Sequence, residues 1–184
     1  MVMKKVPRPW KILSTKTLFE HGNLHVMEDT VELQNGKQST YVYNLSETDS
    51  VIIIAINSHG DLLVQREYSH PTHKVLWQLP GGSMQKGEEI ITAAQRELSE
   101  ESGYASHTSK VLGFFYTNNR RTSKKQHVVL CHDLYEHKLQ EDEDEVIEST
   151  WITIKNVRQM ITDGKIENIN MLAALNLWFH MSDS

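Results

Sequence analysis

Residues 82–104, GSMQKGEEIITAAQRELSEESGY, constrain this chain more than any other stretch. They carry five glutamates, Glu88, Glu89, Glu97, Glu100 and Glu101, with Arg96 set among them. Residues 90–102 predict a helix: Ala93, Ala94 and Leu98 supply small or apolar packing positions, and nothing in the run breaks a helix. Gly103 follows as a left-handed cap. On such a helix Glu97 and Glu101 share a face, and Glu100 flanks it. Carboxylates crowded in this way raise each other's pKa, and a hard divalent cation, which takes oxygen ligands, resolves the conflict. Arg96 pairs with Glu100, one helical turn on, or with Glu88. The same spacing also suits a plain solvated helix face, and the carboxylates alone do not choose between the two.

A chain of 184 residues is long enough for one domain with its own core. Its net charge of -5 argues against a general nucleic-acid or anionic-membrane binder. The sequence shows no apolar run long enough to cross a bilayer and no charged-then-apolar leader. The single Cys131 excludes an internal disulfide. It lies in the apolar run 128–131 and reads as a buried thiol, which fits a reducing cytoplasm. His70 and His73 flank Pro71 without further His or Cys partners for zinc, and read as loop residues.

Residues 1–10 form a basic arm with two prolines. A short strand is expected over 12–19. Runs over 24–33 and 39–45, the latter with Tyr41 and Tyr43 on one side, flank Asn35-Gly36, the signal of a two-residue hairpin. This front section is a small antiparallel sheet outside the main core. Residues 51–56 are a β-branched run suited to a strand buried on both faces. A turn over 58–61, a strand over 62–66, a loop over 67–74 and a short strand over 75–79 deliver Pro80-Gly81-Gly82. There glycine either lets backbone approach a ligand closely or makes a tight turn. Strands over 110–116 and 126–134 enclose a basic loop with Arg120, Arg121, Lys124 and Lys125. That loop is either solvated or holds phosphate oxygens. The acidic segment 140–148 offers a carboxylate as general base. A strand over 149–154 and helices over 155–163 and 168–180 complete the chain, with Met171, Leu172, Leu175, Trp178 and Phe179 as core packing. There is no internal repeat.

Gly82, five residues, Glu88, seven residues, then Arg96-Glu97-Leu98-x-Glu100-Glu101-x-Gly103 resembles the Nudix box, the signature of the Nudix hydrolases. Tyr104 stands where the box usually ends on an aliphatic residue. The order WKILSTKTLFEHGNLHV, hairpin, buried strand, LLVQREYSHP, WQLPGG, box and DGKIENINMLAALNLW is similar, over nearly the whole chain, to the ADP-ribose pyrophosphatase branch of that family. The resemblance implies an α/β fold, an α/β/α sandwich with a mixed sheet plus amino-terminal antiparallel strands. It implies a dimerisation segment over 1–48, a hydrolase domain over 49–184 and a homodimer.

The resemblance further implies Mg²⁺-dependent hydrolysis of a nucleoside diphosphate sugar, with Mn²⁺ as a substitute ion. ADP-ribose, giving AMP and ribose 5-phosphate, is the expected substrate, without nucleic-acid or membrane partners. Glu97 and Glu101 become the main metal ligands, assisted by Glu100 and the Gly81 carbonyl. Arg96 and Glu88 orient the carboxylates, and Arg96 and Glu100 count with the catalytic set. The acidic segment supplies the general base, Glu145 first and Glu143 next. Two departures bear on the substrate: Asn118-Asn119-Arg120 replaces the Ser-Pro-Gly common after the box, and Ser69 replaces an arginine ahead of His70-Pro71. Phosphate contacts then fall to Arg66, Gly82, Arg120 and Arg121, and a GDP-sugar such as GDP-mannose becomes an alternative. A non-catalytic module that binds a nucleotide sugar is the alternative of another class.

Overall fold

The computed structural model describes residues 6–137 and 146–182. The chain divides into two compact units: one runs to Glu47 and takes in Asn118–Lys124, and the other comprises Thr48–Thr117 and the chain from Lys125 onward.

The first unit is a three-stranded antiparallel sheet in sequence order, β1 (Lys11–His21), β2 (Leu24–Glu32) and β3 (Gln38–Leu45). The first strand is longer than expected and exposed along its whole length. Thr15, Asp29 and Tyr41 form one cross-strand row. Asp29 and Val31 on that face are buried, and Asp29 accepts a 2.6 Å hydrogen bond from the Thr15 hydroxyl. The hairpin departs from the two-residue expectation. The Leu33 amide bonds the Lys37 carbonyl and the Gly36 amide bonds the Leu33 carbonyl, so the loop holds three residues, with Gly36 at φ 80°. A turn followed by a left-handed residue restores the strand twist as well as the two-residue turns do. The segment 118–124 is stitched to β3: the Tyr41 hydroxyl donates to the Arg120 carbonyl, the Asn44 amide to the Arg121 carbonyl, and Arg121 Nη1 to the Val42 carbonyl at 2.8 Å.

The second unit contains β4 (Ser50–Ala55), β5 (Asp61–Ser69), β6 (Lys74–Gln78), α1 (Ile90–Ser102), β7 (Tyr104–Tyr116), β8 (Lys125–Glu136), β9 (Ile147–Thr153), α2 (Ile154–Thr162) and α3 (Ile169–Ser182). Strand β4 runs parallel to β8, which pairs antiparallel with β7. Strand β5 lies between β6 and β9, antiparallel to both. Residues 80–83 continue β6 alongside β4, with the Ile53 amide on the Pro80 carbonyl and the Val51 amide on the Gly82 carbonyl.

The period-two side-chain alternation of strands sorts the core into two layers. Val51, Ile53, Ala55, Leu63, Val129 and Cys131 pack with Ala93, Ala94 and Leu98 of α1. Ile52, Ile54, Leu62, Val64 and Val128 pack with Val157 of α2 and Met171, Ala174 and Leu175 of α3. This is the expected helix–sheet–helix sandwich around a mixed sheet. Burying a side chain such as Leu98 or Ile53 contributes about 1.5–3 kcal/mol. Cys131 is fully buried, and burial pushes its thiol pKa up. No described helix is long and apolar enough to cross a membrane.

The loop expected over 67–74 is mostly strand. Glu67, Tyr68 and Ser69 pair with Leu76, Val75 and Lys74, leaving a short 3-10 turn at His70–Thr72 and His73 at φ 54°. The ladder bonds are completed by the backbone, and one face of the hairpin is wet.

Candidate active site

Helix α1 spans the predicted residues, and Gly103 ends it at φ 73° with its amide on the Ser99 carbonyl. Its buried stripe of Ala93, Ala94 and Leu98 fixes the helix on the sheet. The acidic stripe beside it is thereby turned toward residues 80–88.

Arg96 is the hub of this stripe. Its Nε and Nη2 each lie 3.0 Å from an oxygen of Glu88, a two-pronged contact. Its Nη1 lies 3.0 Å from both Glu97 and Glu100, and Nη2 also donates to the Ser83 carbonyl at 3.2 Å. The Arg96 side chain is only 21% exposed, so these charge-assisted bonds are poorly screened. They push the guanidinium pKa up, Glu88 foremost. The Glu88 carboxyl is held below its ordinary value of 4.5, first by its hydrogen bond to Arg96, against the opposing effect of burial. Both partners named for Arg96 from the sequence are therefore engaged, with Glu97 as a third.

Glu97 is the buried carboxylate of the stripe. It lies flat over the bare Cα of Gly82: a Cβ there would stand 2.6 Å from its carboxyl carbon and both oxygens. The neighbouring Gly81 is constrained by conformation as well as space. It sits at φ 146°, and a Cβ would overlap the Val51 carbonyl oxygen and lie 2.9 Å from the Ile52 Cα. The Gly81 amide donates to Glu101 at 3.1 Å. The carbonyls on either side of it, Pro80 and Gly82, accept from the Ile53 and Val51 amides of β4. Together these groups make an all-oxygen set, the kind a hard cation takes, and the glycine cradle holds the Glu97 carboxylate where a side chain would displace it. Among the described residues no group of three His, Cys, Asp or Glu side chains is disposed to hold a metal by itself.

The other sequence candidates are distributed unevenly. Arg66 alternates with Gln65 on β5 and faces the α3 side of the sheet. It lies 5.4 Å from the Trp77 ring centroid and 3.5 Å from Glu148, not on the carboxylate face. Arg121 is committed within its own unit to the Val42 carbonyl, and Arg120 enters the hydrogen bonds of its segment through its carbonyl. Glu143 and Glu145 lie outside the described residues.

Sequence reasoning passed over Asp49 and Gln65. Asp49 accepts from the Lys125 amide at 2.9 Å and pairs with His127 at 3.0 Å. Burial works to raise its carboxyl, but Lys125 and His127 outweigh that and hold it below its ordinary value. Gln65 is fully buried in β5; an amide inside the apolar run LLVQ was the signal.

Residues 47–175 match the NUDIX domain family. The chain is 27% identical over 158 residues to the ADP-ribose pyrophosphatase of Bacillus subtilis (strain 168), covering 85% of each chain. It is also 27% identical over 167 residues to the methanol dehydrogenase activator of Bacillus methanolicus, covering 90% of each. Its fold matches the crystal structure of an ADP compounds hydrolase at a TM-score of 0.89, over 97% of this chain and 96% of that one, at 24% identity.

Proposed function

This chain belongs to the Nudix family and is a pyrophosphohydrolase, and on that premise we propose that it cleaves the pyrophosphate of nucleoside diphosphate sugars, ADP-ribose first among them, to AMP and ribose 5-phosphate. The observation that carries the proposal is the Glu97 carboxylate cradled on Gly82, joined on one helix face by Glu101, which is tied to the Gly81 amide. The name of the Bacillus subtilis relative supports the substrate class.

In this reading Glu97, Glu101 and the Gly81 carbonyl hold Mg²⁺, or Mn²⁺ in its place, with Glu100 assisting. The bound metal supplies neutralisation of pyrophosphate charge and activation of the attacking water. Arg96 acts as a positioning residue: it bonds Glu88, Glu97 and Glu100 and keeps the stripe from spreading. Glu145, with Glu143 next, takes the proton from water as general base. Gly82 offers close backbone approach to the phosphates. The amino-terminal segment, residues 1–48, pairs with a second copy. Its β1 carries Ile12, Leu18 and Phe19 at 59%, 47% and 53% exposure, apolar surface that a partner would cover.

Glu97→Gln and Glu101→Gln test the assignment. Each keeps the shape of the side chain, so turnover falls by about 100-fold or more while the melting temperature moves by no more than about 4 °C. A variant that unfolds without any change in metal dependence points instead to a structural role. The name of the Bacillus methanolicus relative favours a second reading, a regulatory module. Tight binding of a nucleotide sugar without turnover by the unmodified protein is its mark.

A further inference from the structure

Gln65 lies on the α1 side of β5, in register with Gln78 of β6 and Ser149 of β9. It is fully buried. Its Nε2 donates to the Ser149 hydroxyl at 3.4 Å, and that hydroxyl donates to the Glu101 main-chain carbonyl at 3.4 Å. The carbonyl belongs to the last turn of α1, where the final four carbonyls have no partner within the helix. Two links of this length keep the Gln65 amide nitrogen within about 7 Å of the Glu101 backbone. At its other end Glu101 is held by the Gly81 amide. The main chain of Glu101 is therefore linked to β5 and β9 by two long hydrogen bonds through the exposed Ser149, and its carboxylate is held by the glycine loop beside it.

The other half of the Gln65 amide is unusual. Its Oε1 is buried and has no hydrogen-bond partner among the described residues. The amide opposite, Gln78, gives one of its two Nε2 hydrogens to Glu67, its neighbour on the same face. A buried amide oxygen without a donor is costly, and a core side chain chosen only for packing would be apolar there.

We propose that Gln65 is a positioning residue for the metal-bearing turn of α1, acting on Glu101 through Ser149, an inference that rests on the reading of Glu97 and Glu101 as metal ligands. Its value lies in where it holds the turn rather than in stability, and the two separate on substitution. Gln65→Met keeps the volume, removes the relay and removes the orphaned oxygen.

The test is titration of the full-length protein with Mn²⁺ alone, followed by electron paramagnetic resonance of the free ion, with thermal melting alongside. Gln65→Met is expected to weaken Mn²⁺ binding by about tenfold while its melting temperature stays level or rises. Ser149→Ala shifts Mn²⁺ binding in the same direction, and Ser149→Thr, which keeps the hydroxyl, binds as the unmodified protein does. Mn²⁺ affinity within about twofold of the unmodified protein in both Gln65→Met and Ser149→Ala would overturn the inference. Should Gln65→Met not fold, Ser149→Ala against Ser149→Thr decides it. Failure of the unmodified protein itself to bind Mn²⁺ would overturn the metal-ligand reading beneath it, a result distinct from any variant effect.

Discussion

Replacing Gly82 by alanine adds one methyl group at the point where the structure leaves no room for it. The new Cβ would lie 2.6 Å from the carboxyl carbon and both oxygens of Glu97. Ordinary contact between such atoms begins near 3.5 Å, so the carboxylate has to move by about 1 Å. Gly82 itself does not occupy the left-handed region, and the obstructing group is the end of a flexible side chain, so the backbone accommodates the change. The move strains the 3.0 Å bond between Glu97 and Arg96, worth about 1–3 kcal/mol for a charged pair. Catalysis loses more, since a displacement of about 1 Å in a reacting constellation costs on the order of 100-fold. Steady-state hydrolysis of ADP-ribose with Mg²⁺, beside a thermal melt, separates the two. Gly82→Ala should fold, melt a few degrees lower and turn over about 100-fold more slowly. Activity within about threefold of the unmodified enzyme, in a folded protein, would refute the placement of Glu97 at the reacting centre. Gly81→Ala is the contrast: its Cβ meets the backbone of Val51 and Ile52 at a φ of 146°, so stability itself falls.

Arg96→Lys should destabilise the protein by about 1–3 kcal/mol and lower turnover, because one ammonium cannot serve Glu88, Glu97 and Glu100 together; denaturant unfolding and kinetics read the two effects. Glu88 gives a pH signature. Its folded pKa is depressed below the ordinary 4.5, so its stabilisation is complete above pH 4.5 and is lost as the pH falls through the lower folded value. Unfolding free energies measured at about pH 6 and about pH 3 should fall less steeply for Glu88→Gln than for the unmodified protein; parallel slopes would show that Glu88 carries no such stabilisation. Sedimentation should give twice the mass of one chain, 21.2 kDa, and Phe19→Glu on the exposed face of β1 should shift it toward the monomer; an unchanged dimer would remove that strand from the interface.

The helix, its glycine cap and the acidic face were legible because each rests on local rules: residue propensity, the left-handed tolerance of Gly103, and the spacing of Glu97 and Glu101. The two-faced burial of β4 was legible for the same reason, since an unbroken β-branched run has no wet side. The length of β5 was not, because Glu67, Tyr68 and Ser69 are held as strand by partners in β6 that lie across a turn. The facing of Arg66 follows from strand parity, but only once register is known. The Glu97–Gly82 contact joins two segments of chain through the pairing of residues 80–83 with β4; the spacing of the motif names the pair without giving the geometry. Gln65 was missed because an orphaned oxygen is defined by what surrounds it, and the surroundings come from three strands.

The most direct test of the central claim is a hydrolysis panel with the unmodified protein and Mg²⁺ or Mn²⁺, comparing ADP-ribose, ADP-glucose, GDP-mannose, a dinucleoside polyphosphate and a nucleoside triphosphate, with the products identified. Metal-dependent cleavage within the pyrophosphate of the sugar nucleotides is expected, with ADP-ribose giving AMP and ribose 5-phosphate fastest. Metal-independent turnover, or none of these compounds cleaved by folded protein, would contradict it.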